Sequence, residues 1–123
     1  MVKIHAKNLG RFTILCLQGR IVIGATEALR NAVRFQVGVS TLVLDFAKVS
    51  MIDAAGLGVM LQLRKETQSK SIGFKLMNLT EPISQVLEIT RLNSVFEVTS
   101  AAELLSGATP GRQVSLRKLA PCA

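Results

Sequence analysis

Apolar residues along the chain alternate between the close spacing of strands and the wider spacing of helices. A turn at residues 8–11 carries Gly10, which adopts positive φ easily, and it joins the first two predicted strands. The third predicted strand is a nearly continuous apolar run, typical of a strand covered by helices on both faces. The predicted strands are residues 2–6, 12–18, 41–46, 72–79 and 95–98.

Helical spacing occurs between these strands. Residues 25–37 have apolar side chains three and four positions apart, which predicts an amphipathic helix. A second helix is predicted from 54 to about 69, with Asp53 as its N-cap, because a carboxylate accepts free backbone N–H groups and is favoured by the helix dipole. Short helices are predicted after Thr80 and over 101–106.

Strands that alternate with helices predict an α/β fold whose sheet is largely parallel after its first hairpin. The 123 residues suffice for one domain with its own core. We place this domain at residues 1–107, where Gly107 is the expected end of the last helix. Residues 108–123 contain two prolines and little periodicity, which predicts a flexible basic tail.

The composition disfavours several classes of partner. The formal net charge is +7, but the basic residues are scattered and there is no Tyr or Trp to stack on bases, so no nucleic-acid partner is expected. No apolar run reaches the length of a membrane span, and the first residues lack the apolar core of a secretory signal. We therefore expect no direct membrane insertion and a cytoplasmic location.

Candidate catalytic and metal-binding groups are few. The single histidine, His5, has no nucleophile or metal ligand near it in the sequence. Asp45 and Asp53 could be neighbours that hold a cation or act as an acid–base pair, although capping accounts for Asp53 more simply. Gly56 and Gly58 do not have the spacing of a phosphate-binding loop. We therefore expect no enzyme activity, no cofactor and no metal.

Two segments resemble a known family, namely LVLDFAKVSMIDAAGLGVMLQLRKET and GFKLMNLTEPISQVLEITRLNSVFEV. They are similar to the STAS domain, in the free-standing form of bacterial anti-sigma factor antagonists. The similarity runs from about residue 2 to 106, and its most specific element is D-x-x-G-L-G at Asp53, Gly56, Leu57 and Gly58. The resemblance implies the STAS fold, a four- to five-stranded mixed sheet with helices packed on it.

The resemblance also implies a non-catalytic regulatory module that binds an anti-sigma factor, often a serine kinase. In the family, the residue directly after the aspartate is typically a phosphorylated Ser or Thr. Here that position is Ala54, followed by Ala55, so neither residue has a hydroxyl to accept a phosphoryl group. Val22 stands where the family usually has an acidic residue in the loop that joins the docking surface, so the resemblance does not identify the partner.

The predicted docking surface covers residues 21–26 and 52–61. Leu57 and Leu61 are expected to be exposed on the helix, at the border of its buried face. Glycine in a helix costs about 1 kcal/mol relative to alanine, so we infer that Gly56 and Gly58 are present to let a partner approach closely. The predicted partner-binding residues are Gly24, Ala25, Asp53, Ala54, Ala55, Gly56, Leu57, Gly58 and Leu61.

Four alternatives stay open from the sequence. The chain could be an accessory subunit of a membrane lipid transporter complex, or it could sense a small ligand at the same helix start. Phosphorylation could be displaced to Ser50 or Thr26. Exposed apolar residues could also pair two copies into a homodimer.

Overall fold

A computed structural model describes residues 2–36 and 38–106, without the side chains of residues 105 and 106. Its sheet has five strands in the order of the chain. The first pair is antiparallel and the other three pairs are parallel, as predicted. The strands are β1 (Lys3–Leu9), β2 (Phe12–Ile21), β3 (Thr41–Ile52), β4 (Gly73–Met77) and β5 (Glu97–Thr99).

Helices cover both faces of this sheet. The main core contains side chains of the first three helices, including Leu29, Leu63 and Ile83, and therefore lies on one face. A smaller cluster on the other face joins Leu104 of the last helix to Ile14 and other sheet residues. The helices are α1 (Thr26–Phe35), α2 (Ala54–Ser69), α3 (Glu81–Ile89) and α4 (Ala101–Ser106), with a 3-10 turn at Leu92–Ser94.

The third strand is twice as long as its apolar run predicts. It pairs with β4 only from Thr41 to Asp45, and its second half continues to Ile52 beside β2. We expected β2 to end at residue 18, but irregular register on either side of Gly19 lets it follow β3 as far as Ile21. The polar residues of this half are exposed to solvent, because here the sheet consists of β2 and β3 alone. A search for a continuous apolar run therefore misses this part of the strand.

The helix boundaries agree more closely with the sequence. Asp53 caps α2, which ends at Ser69, and the Ser100 hydroxyl accepts the Glu103 backbone N–H at the start of α4. The first helix is shorter than predicted, ending at Phe35. The predicted tail, 108–123, lies outside the described residues. Within the described ranges no helix is long and apolar enough to cross a membrane.

Candidate functional site

The Asp53 carboxylate joins two segments that are thirty residues apart in the chain. One oxygen, Oδ1, accepts the backbone N–H of Gly56 at 2.9 Å, which is the predicted cap. The other, Oδ2, accepts the backbone N–H of Ile23 at 3.0 Å. The Asp53 backbone N–H in turn donates to the Ile21 carbonyl at 3.3 Å. Asp53 therefore holds the loop between β2 and α1 against the start of α2.

These backbone donors also change the acidity of Asp53. The hydrogen bond from Gly56, followed by that from Ile23, lowers the pKa of the carboxyl below its ordinary value of 3.8, because both bonds favour the charged form. Burial opposes the shift without reversing it. The carboxylate is therefore charged throughout the neutral range, next to an otherwise apolar surface.

We expect Asp53 to stabilise the fold in its charged form only. Because its folded pKa is lowered, its contribution is complete above pH 3.8 and is lost as the pH falls through the folded pKa. Asp53→Asn keeps an oxygen for Gly56 but turns an amide N–H towards the Ile23 N–H. Urea unfolding should show the variant to be less stable than the wild type above this pH, with the difference shrinking below it.

Glu88→Gln is the control for the loss of charge, since it removes an exposed carboxylate of α3 outside this region. A stability difference between wild type and Asp53→Asn that stayed constant down to acid pH would contradict the role given to the charge of Asp53. Amide hydrogen exchange at Ile23 should be faster in the variant, which tests the loop contact separately from the cap.

The structure bears on two expectations for α2. Leu57 is only 8% exposed and belongs to the main core, so the prediction that it is exposed for a partner is wrong. Gly56 is also buried, and a Cβ at this position would collide with the Ile21 carbonyl and lie 2.8 Å from Ile52 Cγ1. Gly56 therefore lets α2 approach the protein's own β2, and this internal contact accounts for the glycine without a partner.

Gly58 has a different environment from Gly56. A Cβ built at Gly58 meets nothing within 4 Å, and the residue is exposed. Ala54 is exposed one turn earlier, and Leu61, 36% exposed, lies one turn later. These three residues form the outer stripe of the first half of α2.

Two apolar side chains extend this stripe beyond the helix. Ile23, held by Asp53, is 78% exposed, and Met51 at the end of β3 is 48% exposed. We define the docking face as the exposed residues around the start of α2, which are Ile23, Met51, Ala54, Gly58 and Leu61. Sequence reasoning missed Met51. Its only signal in the sequence was its place between the polar Ser50 and the apolar Ile52, just before Asp53.

The remaining predicted partner-binding residues lie at the border of the docking face. Gly24 is exposed with φ of +86°, a left-handed conformation that suits glycine in the loop after Ile23. Ala25 is half-buried against the main core and precedes the first residue of α1. Ala55 is half-buried at the start of α2. Of these three, only Gly24 offers a substantial exposed surface.

The arrangement does not support the acid–base or cation alternative. Asp45 is 2% exposed and accepts hydrogen bonds from the Ala47 backbone N–H and from Asn78 Nδ2. Seven residues of extended strand separate it from Asp53, a distance of about 25 Å. Within residues 2–36 and 38–106, no cluster of His, Cys, Asp or Glu side chains is suited to a metal ion.

Comparison with known proteins identifies the family. The model of the STAS domain matches residues 3–104. The chain belongs to the STAS domain family. A curated relative from Bordetella bronchiseptica, provisionally named anti-sigma factor antagonist BtrV, is 28% identical over 109 residues, which cover 87% of this chain and 94% of that protein.

Solved structures with the same fold include further proteins of this kind. A Thermotoga maritima protein, provisionally described as an anti-sigma factor antagonist, superposes with a TM-score of 0.75 at 21% identity, over 84% of this chain and 92% of its own. The unphosphorylated anti-sigma factor antagonist SpoIIAA superposes with a TM-score of 0.69 at 20% identity, over 85% and 94%. At these identities the likeness establishes the STAS fold.

Proposed function

We propose that this STAS protein is an anti-sigma factor antagonist that binds an anti-sigma factor through the docking face. The observation that carries the proposal is the exposure of three large apolar side chains, Ile23, Met51 and Leu61, around the start of α2. Exposed apolar side chains grouped in this way are typical of a surface that a partner covers. The name of the Bordetella relative supports the choice of an anti-sigma factor as that partner.

Within this proposal each residue has a distinct role. Ile23, Met51 and Leu61 supply apolar contact area, and Gly58 leaves room for a partner's backbone to approach α2. Asp53 acts indirectly, because it positions the Ile23 loop and the first turn of α2. In this proposal, binding alone accounts for the regulatory effect.

Because residue 54 is alanine, phosphorylation at this position cannot change the charge of the docking face. It is exposed at the first position of α2, directly beside the charged Asp53, where a phosphoryl group would add about two negative charges. Alanine has no oxygen to receive this group. We propose that the protein binds its partner without the regulation that a serine kinase exerts at this position.

Leu61→Asp should weaken binding to an anti-sigma factor encoded beside the gene by at least about thirtyfold, because it places a charge within an apolar contact. Calorimetric titration of the purified proteins measures this change. Ile89→Asp is the matched control, since Ile89 is an apolar residue 81% exposed at the end of α3, away from the docking face. This control should change the affinity by less than about threefold.

Two results would contradict the proposal. The first is equal binding by wild type and Leu61→Asp, with both proteins folded as judged by circular dichroism. The second is that the wild-type protein binds no neighbouring anti-sigma factor and instead co-purifies with a membrane transporter complex. A shift from dimer to monomer in Leu61→Asp, without a loss of partner binding, would assign the docking face to a second copy of the chain.

A further inference from the structure

Strand β1 forms a long, regular edge of the sheet. It pairs with β2 without interruption from Lys3 to Leu9, and in the part of the chain that the structure describes no strand pairs with its other side. The opposite edge of the sheet, β5, has only three residues. An edge strand has alternate backbone N–H and C=O groups that point outward and can pair with a strand from another chain. β1 therefore offers a template for an added strand.

An apolar groove runs along the helix side of this edge. It has a volume of about 460 Å³ and lies between Ile4 and Ala6 of β1 and Ala28 and Ala32 of α1. Phe35, at the end of α1, also lines the groove and is 82% exposed. The small alanine side chains leave the groove open, so apolar side chains from an added strand would fit between the helix and the sheet edge.

The opposite side of the same edge is basic. Successive side chains of a strand point to opposite faces, so Lys3, His5 and Lys7 lie on the side away from the groove. Lys3 and His5 line a second cleft, of about 300 Å³, together with Lys48 of β3. None of the three ion pairs within residues 2–36 and 38–106 involves these lysines. This side would attract acidic side chains.

We propose that the β1 edge binds an extended segment of a partner protein in which apolar and acidic residues alternate, and that this segment joins the sheet as a further strand. Its apolar side chains enter the groove beside Phe35, and its acidic side chains meet Lys3 and Lys7. The backbone pairing supplies affinity, whereas the alternation of side chains selects the sequence. This surface is separate from the docking face, so neither proposal depends on the other.

A second copy of the chain fits this edge poorly. If two β1 strands paired side by side, Lys3 and Lys7 of both copies would lie on one face of the joined sheet, and like charges across neighbouring strands destabilise the pairing. Lys3 and Lys7 thus discourage self-association while they favour an acidic partner. Lysine on an exposed edge is a common means of preventing such pairing between copies.

The test uses the complete protein and a synthetic peptide that alternates Glu and Val, matched in length to β1. We expect it to bind with a Kd below about 1 mM, to protect β1 amides from hydrogen exchange and to shift their NMR signals. The double variant Lys3→Glu, Lys7→Glu should weaken binding about tenfold or more, and so should Ala28→Gln, which extends a polar side chain into the groove.

The controls separate strand addition from simple charge attraction. Lys65→Glu removes an exposed lysine of α2 and should leave the affinity unchanged. A peptide of the same composition with its Glu and Val residues in separate blocks, and one that alternates Lys and Val, should bind at least tenfold more weakly. Equal binding by the three peptides, no binding by the alternating acidic peptide, signals that map away from β1, or dimerisation through β1 would each overturn the proposal.

Discussion

Replacing Gly56 with alanine is expected to lower the free energy of unfolding by about 2–3 kcal/mol, although alanine is the better helix former. The added Cβ would collide with the Ile21 carbonyl and crowd the Ile52 side chain. Backbone and buried side chains cannot move away cheaply, so α2 would have to separate from β2. Urea unfolding followed by circular dichroism measures the loss.

Gly58→Ala is the matched control in the same helix, two residues away. A Cβ at this position meets no atom within 4 Å, so only helix propensity changes. We expect the variant to be more stable than the wild type by about 0.5–1 kcal/mol. If both substitutions changed stability in the same direction and by similar amounts, the close approach of α2 to β2 would not be the reason for Gly56.

Ala54→Ser is expected to turn a protein that does not respond to a kinase at this position into one that does. The introduced serine would lie at the exposed start of α2, beside the charged Asp53. After phosphorylation by an anti-sigma factor of the serine-kinase type, about two added negative charges would face an apolar partner surface. We expect the modified form to bind the partner at least about a hundredfold more weakly than the wild type.

Mass spectrometry after incubation with the kinase and ATP detects the modification, and calorimetry measures the affinity. Ala55→Ser is the matched control, because this neighbouring position is half-buried and should stay unmodified. Modification of the wild-type protein at Ser50 or Thr26 would show that phosphorylation has moved elsewhere. Tight binding by the phosphorylated Ala54→Ser variant would contradict the place given to Ala54 on the docking face.

Features set by local sequence were predictable. The Asp53 cap, the length of α2 and the order of strands and helices follow from capping chemistry and periodicity over a few neighbouring residues. The family resemblance correctly gave the STAS fold, which residues 3–104 match. The cap, the helix length and the order of elements were predictable because each depends on residues within one element or on neighbouring elements of the chain.

Features set by contacts between distant segments were not predictable. Helical spacing placed Leu57 at the border of the buried face, and only its packing against residues of other elements in the main core decides that it is buried. The approach of the Ile21 carbonyl to Gly56 depends on the irregular register of β2, which has no clear pattern in the sequence. The length of β3 was missed for the same reason, since β2 supports its second half.

The contact between Asp53 and Ile23 has a consequence for any binding measurement. The docking face exists only in the native chain, because the Asp53 carboxylate gathers residues from segments that would drift apart on unfolding. A partner that recognises this face binds the native state alone and therefore raises its melting temperature by mass action. Substitutions far from the face will then reduce apparent affinity in proportion to the population of native molecules that they remove.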